Sequence, residues 1–244
     1  MKTCQHYYGV SKYLAIVSFA VLLASCSNAV ETANKLNDIN SEQLITKVAL
    51  FPSGYFNSGY VENYVITGTD DSGREYTGSY EIRTGVRDVF NGVEAVPVVS
   101  TLSYTTVINN VQAPPITVTL TQYYSPTSPR QYLGNVNDRA SVILTLQGAA
   151  EDMPASVVSN SSGALANLIG SNSVLETIGW SMLPNADGTH SLAFDFIDTD
   201  SAGGLIISEV QTFVISSNGE RLSWSMSSEI PSLNTTLRFS GSRL

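Results

Sequence analysis

The chain has little of the residue types that most often carry catalysis or bind metals. It has two cysteines, Cys4 and Cys26, and two histidines among 244 residues. His190 is the only histidine in the body of the chain, and it cannot make a zinc site without several carboxylate partners. A Ser–His–acid hydrolase needs an activated serine beside that histidine, and the sequence has no Gly-x-Ser-x-Gly motif. We therefore expect neither a disulfide framework nor thiol or serine nucleophilic catalysis.

Charge is also scarce, and most of it is negative. Charged residues make up 14% of the chain, with 12 Lys and Arg against 21 Asp and Glu, for a formal net charge of −9. Nucleic acids and anionic lipid surfaces attract basic patches. The composition therefore disfavours nucleic acid as a partner and disfavours charge-driven binding to a bare membrane. Ser, Thr, Asn, Gly and Tyr are abundant instead, which is typical of polar, uncharged β surfaces.

A short apolar run lies near the start of the chain. It extends from Tyr13 to Ala24, follows Lys2 and Lys12, and has no acidic residue ahead of it. A helix that spans a bilayer needs roughly 20 apolar residues, so this run is too short to cross one. A basic start, a short apolar core and small residues at its end describe a secretory signal peptide.

The residues that close this run are Leu23-Ala24-Ser25-Cys26. They resemble the lipobox of bacterial lipoprotein precursors. The resemblance implies that residues 1–25 are removed as a lipoprotein signal peptide and that Cys26 carries the lipid as the new N-terminus. Two other interpretations stay open, namely ordinary secretion with cleavage after Ala29 and an uncleaved anchor helix.

A lipid on Cys26 would make the membrane a partner of this protein. Stable attachment needs two or more acyl chains, and a multiply acylated cysteine provides this membrane anchor without a transmembrane helix. Ser27 follows, whereas an aspartate there retains many lipoproteins of Gram-negative bacteria in the inner membrane. The resemblance therefore implies the cell envelope and, in a Gram-negative host, the periplasmic face of the outer membrane. We interpret the polar residues 26–42 as the lipidated cysteine and a flexible tether, ahead of an all-β domain over residues 43–244.

Most of that domain alternates between apolar and polar residues, which is the pattern of half-buried strands. Ile116, Val118 and Leu120 alternate with threonines, and similar runs follow towards the end of the chain. Asp70-Asp71-Ser72-Gly73 separates two such runs, as expected of a hairpin turn. Short connections of this kind favour sequential antiparallel pairing, because parallel pairing needs crossovers of about a dozen residues.

The pattern predicts an all-β fold, a single antiparallel meander of about eleven strands. Because an open twisted sheet of this size is unusual, we expect a strongly curved sheet that forms an incomplete barrel or a two-sheet sandwich. A transmembrane barrel is disfavoured, since Thr-rich outer faces suit lipid poorly. Residues 147–169 are the least patterned, and we expect a lid or a connection between two halves of the meander there. Within them, residues 161–169 come nearest to a helical pattern.

The clearest candidate for a metal site begins at Asp198. Asp198, Asp200 and Glu209 occupy positions 1, 3 and 12 of a stretch with glycine at position 6, which resembles the calcium loop of EF-hand proteins. Position 5 is Ala202, which offers no side-chain oxygen, and the flanks alternate like strands rather than helices. A hairpin turn explains the same residues. We expect the hairpin, with no metal and no cofactor, and keep the calcium loop as the alternative.

Aromatic residues are the remaining candidate binding groups. Tyrosine rings can bind sugars, peptides or lipid chains, but tyrosine is also a favourable residue on half-exposed strand faces, and we expect the second role. Trp180 and Trp224 lie on alternating strands and are predicted to be core residues, whereas His190 is predicted to be exposed at the start of a strand. The tyrosines concentrated in the first half of the chain are Tyr55, Tyr60, Tyr64, Tyr76, Tyr80, Tyr104, Tyr123, Tyr124 and Tyr132.

Two classes of function follow from these observations. We expect a non-enzymatic binding, structural or assembly module of the envelope, whose curved sheet binds an apolar or lipid ligand or a protein partner. An apolar concavity would support this function, and a solid core would exclude a cupped ligand. The alternative is an enzyme or accessory protein that acts on envelope polysaccharide. That activity needs a cleft with two carboxylates about 5–10 Å apart in unequal environments.

Overall fold

A computed structural model describes residues 47–108, 111–138 and 142–244 of the chain. The predicted signal peptide, Cys26 and the tether lie outside the described residues. Within these ranges the structure consists of β-strands and one short 3-10 helix, with no α-helix. No helix in the described part of the chain is long and apolar enough to cross a membrane.

The strands follow one another with mostly short connections. In the first half they are β1 (Lys47–Ala49), β2 (Val61–Asp70), β3 (Glu75–Thr84), β4 (Asp88–Phe90), β5 (Val93–Ile108), β6 (Val111–Gln112), β7 (Ile116–Tyr124), β8 (Arg130–Asn137) and β9 (Val142–Leu146). In the second half they are β10 (Asp152–Met153), β11 (Ser156–Val158), β12 (Ser161–Gly170), β13 (Leu175–Pro184), β14 (His190–Thr199), β15 (Leu205–Ile215), β16 (Arg221–Ile230) and β17 (Thr235–Arg243), with the 3-10 helix at Pro231–Leu233.

Twelve of these strands form a closed antiparallel barrel. They are β2, β3, β5, β7, β8, β9 and β12 to β17, and each pairs with the next along the chain. The predicted antiparallel meander is confirmed, with twelve barrel strands rather than about eleven. The expectation of an incomplete barrel or a sandwich was wrong, because β17 returns to pair with β2 over residues 237–243 and 64–70. Each barrel strand thus has a partner on both sides, which removes the open edges of a curled sheet.

Alternation along each strand decides which side chains fill the barrel. On β14, Leu192, Phe194 and Phe196 are buried, while the residues between them are half-buried. β13 follows the same rule, because Trp180 lies directly opposite Phe194, and Met182 lies directly opposite Leu192. The inward positions of neighbouring strands therefore meet in one apolar core.

Hydroxyl side chains cover much of the outer wall. In one row across six neighbouring strands, residues that pair directly are all Ser or Thr, namely Thr212, Ser225, Ser240, Thr67, Thr77 and Thr105. A parallel row differs only at one valine and contains Ser223, Ser242, Val65, Ser79, Ser103 and Thr117. A polar outer face with an apolar inner face is typical of an antiparallel sheet that meets water on one side.

The Asp70 hairpin joins β2 to β3 and has the turn chemistry that its sequence predicts. The Asp70 carboxylate accepts hydrogen bonds from the backbone N–H of Ser72 at 2.9 Å and of Arg74 at 3.0 Å. Gly73 takes a φ of +77°, which favours glycine. The predicted hairpin is confirmed. The β14–β15 and β16–β17 connections lie at the same end of the barrel as this hairpin, and we call this end the open end.

The opposite end of the barrel is filled by residues 47–60, which we call the plug. β1 pairs with β11, and Leu50 is buried. The rings of Phe51 and Phe56 lie 6.3 and 5.2 Å from the ring of Tyr124 on the barrel wall. The plug thus continues the interior core rather than lying outside the barrel.

A close contact with a hairpin holds the plug in place. Gly219, in the connection between β15 and β16, has a φ of +81°, and a Cβ added there would lie 2.8 Å from the Cβ of Ala49. A larger residue at this position would therefore push β1 away from the hairpin, in addition to straining the backbone.

Residues 147–160 also belong to the plugged end. They connect β9 to β12 and contain β10, which pairs with β8, and β11, which pairs with β1. The prediction of a connection between two halves of the meander fits this arrangement, and the predicted lid does not. Residues 161–169 belong to β12 rather than to a helix, because they pair with β13 on both sides of a bulge between Ala164 and Ala166.

Candidate functional site

The barrel interior contains a cavity of about 450 Å³ at the open end. It lies between the wall formed by β5, β7 and β8 and the wall formed by β15, β16 and β17. Eleven of its sixteen lining residues are apolar or aromatic. Its aliphatic lining consists of Leu102, Val118, Leu120, Ile207, Ile230 and Leu237. A concave, mostly apolar cavity with a few polar groups is typical of small-molecule sites.

The alternating sequence of β7 explains one wall of this cavity. Val118 and Leu120 point inward and line it, whereas Thr119 between them points to the outer wall. Val118 pairs with Leu102 of β5, which also lines the cavity. The pattern that predicted a half-buried strand therefore also provides the apolar lining.

A polar cluster forms the floor of the cavity. The ring of Tyr80 stacks on that of Trp224, with centroids 4.0 Å apart. Both donate hydrogen bonds to Oε1 of Gln211, the Tyr80 hydroxyl at 3.3 Å and the Trp224 indole N–H at 3.4 Å. Below this floor the interior is packed, and a void there measures only about 20 Å³.

A wider depression of about 650 Å³ lies on the outer wall over β15, β16, β17, β2 and β3. Outward hydroxyl residues such as Thr67, Thr212 and Ser225 contribute to its lining. It lies on the hydroxyl-rich outer face, whereas the interior cavity lies between two apolar walls and opens at one end of the barrel. Position inside the barrel and apolar lining make the interior cavity the better candidate for a binding site.

Three carboxyl side chains occupy inward positions beside the cavity. Glu176 of β13 pairs directly with Asp198 of β14. Glu209 of β15 pairs with Phe196, two residues before Asp198, and lines the cavity. We call Glu176, Asp198 and Glu209 the carboxyl cluster.

The carboxyl cluster is held in an environment that disfavours negative charge. Burial raises the pKa of Glu176 to about 8, and the charge of Asp198 adds to this shift. Burial alone raises the pKa of Asp198 to about 6. Burial also raises the pKa of Glu209, although the amide of Gln211 donates to its carboxylate at 2.7 Å and opposes the shift. Strongly perturbed carboxyls beside a cavity are typical of functional sites.

Asn135 of β8 connects the opposite wall to the carboxyl cluster. Its side chain is 1% exposed, and its amide N–H groups donate to Glu176 at 2.7 Å and to the Tyr132 hydroxyl at 3.1 Å. Its Oδ1 has no hydrogen-bond partner among the described residues, and neither does the buried Oδ1 of Asp198. The two buried oxygens without a partner at the open end, Oδ1 of Asn135 and Oδ1 of Asp198, are both hydrogen-bond acceptors.

The plugged end contains an ion pair instead of unpaired acids. Arg221 and Glu62 are each 1% exposed, and their side chains lie 3.3 Å apart. The hydroxyls of Tyr60 and Tyr64 also donate to the Glu62 carboxylate. The Arg221 guanidinium lies 3.9 Å from the ring centroid of Phe213, which adds a cation–π contact.

The structure separates the three residues of the candidate calcium loop. Asp198 and Glu209 face the barrel interior, whereas Asp200 lies in the exposed hairpin turn between β14 and β15. The Asp200 carboxylate accepts hydrogen bonds from the backbone N–H of Ala202 and of Gly204, both at 2.8 Å. Within the described ranges, no group of three or more His, Cys, Asp or Glu side chains has the geometry to hold a metal ion.

Aromatic residues and His190 also differ in part from the expectation. Trp180 and Trp224 are buried, as predicted. His190 begins β14 as predicted, but it is buried, with 8% of its surface exposed. Ser159, beside β11, covers it, and its hydroxyl is hydrogen-bonded to Nε2 of the ring at 2.9 Å. Most of the tyrosines are buried rather than half-exposed, namely Tyr55, Tyr64, Tyr76, Tyr80, Tyr104, Tyr124 and Tyr132.

Sequence reasoning missed Glu176 and Asn135. A usable signal was present for Glu176, because it is in phase with Ile178, Trp180 and Met182 along β13 and therefore shares their inward face. A carboxyl at an inward position of an apolar strand face is a candidate functional group in its own right. Asn135 had no such local signal, because the bulge between β7 and β8 changes the strand register near it.

Comparisons with known proteins do not assign this barrel to a family. No protein-family model matches the chain, and neither the curated proteins nor the solved structures include a significant match.

Proposed function

We propose that this protein is a non-enzymatic binding module of the bacterial envelope whose barrel holds a small, largely apolar ligand at its open end. The observation that carries the proposal is the interior cavity of about 450 Å³, eleven of whose sixteen lining residues are apolar or aromatic. Its volume lies within the range of roughly 300–1,000 Å³ common for small-molecule sites.

The plugged end supports the same function. The plug and the Arg221–Glu62 pair fill one half of the barrel, so the other half does not have to be packed to make the fold stable. A cup with one sealed end and one accessible end suits retention of a ligand better than passage through the barrel.

Placement in the envelope rests on the lipobox at Leu23-Ala24-Ser25-Cys26. We propose that lipid on Cys26 anchors the barrel to the outer membrane on its periplasmic side. Cys26→Ser should abolish incorporation of labelled fatty acid and should either leave the precursor uncleaved or release the barrel from washed membranes. A variant that is processed to the mature length and still fractionates with membranes as the wild type does would remove the anchor from the proposal.

Binding of an apolar probe tests the cavity. The purified protein should bind N-phenyl-1-naphthylamine saturably, with the increase in fluorescence that this probe shows in apolar surroundings. Val118→Trp places a large ring in the cavity and should weaken probe binding at least tenfold. Leu120→Phe fills the same wall less completely and should weaken binding by a smaller factor.

Thr119→Trp is the matched control, because Thr119 is adjacent in sequence but points to the outer wall. It should bind the probe as the wild type does, and circular dichroism should show that all three variants keep the strand content of the barrel. Absence of saturable binding by the wild-type protein would overturn the proposed function. Equal binding by the Val118→Trp and Thr119→Trp variants would place the probe outside the cavity.

An enzyme that acts on envelope polysaccharide is the second candidate. One observation favours it, namely that Glu176 and Asp198 pair directly and have unequal raised pKa values of about 8 and about 6. Against it, Glu176 is 8% exposed, and a mostly apolar cavity offers few groups for sugar hydroxyls. Release of reducing sugar from purified peptidoglycan, lost in the Glu176→Gln variant, would establish this activity.

A further inference from the structure

Two buried acceptors at the open end lack a donor. Oδ1 of Asn135 and Oδ1 of Asp198 have no hydrogen-bond partner among the described residues. Both atoms belong to residues that flank Glu176, since Asn135 donates to its carboxylate and Asp198 pairs directly with it. A buried polar atom without a partner costs free energy, so the missing partner at this place is a hydrogen-bond donor.

The carboxyl cluster also lacks a counter-ion. Among the described residues, none of Glu176, Asp198 and Glu209 forms a salt bridge. The buried cation of the barrel, Arg221, is engaged with Glu62 at the other end. With a pKa of about 8, Glu176 is largely protonated at pH 7.5, whereas Asp198, with a pKa of about 6, carries a negative charge there. Because an unpaired buried charge is costly, a positive group placed beside Asp198 would be favourable.

The cavity borders the carboxyl cluster. Glu209 lines it directly, and Ile207, another lining residue, pairs with Asp198. Asn137, also in the lining, is two residues after Asn135 on the same face of β8. A ligand in the apolar part of the cavity can therefore present its polar end to the carboxyl cluster.

We infer that the ligand carries a primary ammonium head on an apolar body, and that the carboxyl cluster and Asn135 bind this head. The inference rests on the proposed function and adds the class of ligand. An ammonium group has three N–H donors and a positive charge, which match the two unpaired acceptors and the uncompensated charge of Asp198. A carboxylate head would meet Asp198 with like charge, so fatty acids are disfavoured.

Competition among three ligands of equal chain length tests the inference. Dodecylamine and dodecanoate, each below its micelle concentration, and 1-dodecanol, below its solubility limit, should displace N-phenyl-1-naphthylamine from the purified protein at pH 7.5 with different affinities. We expect dodecylamine to bind at least tenfold more tightly than dodecanoate, with 1-dodecanol between them. The chain length is constant, so the differences report on the head group.

Two conservative variants locate the effect. Glu209→Gln and Asp198→Asn should each reduce the preference for the amine over the alcohol at least threefold, and the double variant should abolish it. Glu229→Gln is the matched control, because it removes the same charge from the exposed outer face of β16 and should leave the preference unchanged.

The outcomes separate this inference from the proposed function. If none of the three ligands displaces the probe from the cavity, the proposed function itself fails. If 1-dodecanol displaces it but the amine is no better than the alcohol or dodecanoate, the cavity binds apolar compounds and the inference is overturned. An amine preference that persists in the double variant also overturns it, because the head would then bind elsewhere.

Discussion

At the plugged end the buried Arg221 has Glu62 as its counter-ion, whereas at the open end the described residues offer no cation to Glu176, Asp198 and Glu209. Both ends are built from the same strands and the same alternation of inward and outward residues. The plugged half pairs its buried charges and fills its space with aromatic rings, although Nε of Arg221 and Nδ1 of His190 have no hydrogen-bond partner among the described residues. The open half leaves buried carboxyls without a counter-ion and contains the cavity. The two halves therefore differ in packing and in the pairing of buried charge, and this difference is what the proposed binding function rests on.

The largest expected effect comes from breaking the ion pair of the plugged end. Arg221→Met leaves the buried Glu62 carboxylate with only the partly exposed Arg243, 4.0 Å away, and should lower the free energy of unfolding by about 3–5 kcal/mol. Urea denaturation followed by tryptophan fluorescence measures this loss. Adding Glu62→Gln to the same chain should recover part of the loss, because the poorly compensated buried charge is then gone.

A surface pair provides the control for that prediction. Arg238 and Asp71 lie 2.6 Å apart, but both side chains are exposed. Arg238→Met should cost only about 0–1 kcal/mol, since water screens exposed pairs. Equal losses from the Arg221→Met and Arg238→Met variants would contradict the view that the plugged end depends on its buried polar network.

A pair of leucine truncations compares packing in the two halves. Leu192 is fully buried near Met182 in the plugged half, and Leu192→Ala should lower the free energy of unfolding by about 2–5 kcal/mol. Leu120 already borders the cavity, so Leu120→Ala should cost about half as much or less. Thermal unfolding of both variants, without ligand, gives the comparison. A larger loss from the Leu120→Ala variant would mean that the open half is also a packed core.

An effect smaller than those of the Arg221→Met and Leu192→Ala variants is a pH dependence confined to the open half. The pKa of Glu176 is raised from 4.5 to about 8, so the folded state keeps its proton at pH values where the unfolded state has lost it. The contribution of Glu176 to stability is therefore greatest below pH 4.5 and is lost as the pH rises towards 8. Glu176→Gln should leave stability nearly unchanged at pH 4.5 and raise it by about 1–3 kcal/mol at pH 9.

Urea denaturation at several pH values between 4.5 and 9 measures this difference, with Glu229→Gln as the exposed control. A gain that does not change with pH would show that Gln packs better at this position and that no buried proton is involved. A gain of the same size in the Glu229→Gln variant would show an effect of net charge.

Local sequence predicted the strands well because alternation and turn chemistry act over a few residues. β7 and the Asp70 hairpin are examples, since each is specified by residues within one turn or strand. Closure of the barrel was not predictable in this way. It depends on pairing between β2 and β17, and no local pattern shows whether a curved sheet meets itself.

The candidate site was predictable only in part for the same reason. Asp198 and Glu209 stood out as acids near a turn, but their proximity to Glu176 and Asn135 depends on the register of six strands, β8, β9 and β12 to β15. The Arg221–Glu62 pair joins residues 159 positions apart. The inward phase of Glu176 was visible in the sequence, and it is the kind of signal that identifies interior carboxyls of barrels before their structures are known.

The seam between β2 and β17 has a consequence for the kinetics of folding. β2, the first barrel strand, can pair with β17 only after all the strands between them are in place. Closure is therefore a late step with a large loss of chain entropy, because it joins distant parts of the chain. Until then β2 presents an unpaired edge that can pair with other chains. A protein that crosses a membrane unfolded would expose this edge throughout its export. The yield of native barrel would then depend on how well the edge is shielded from other chains during that interval.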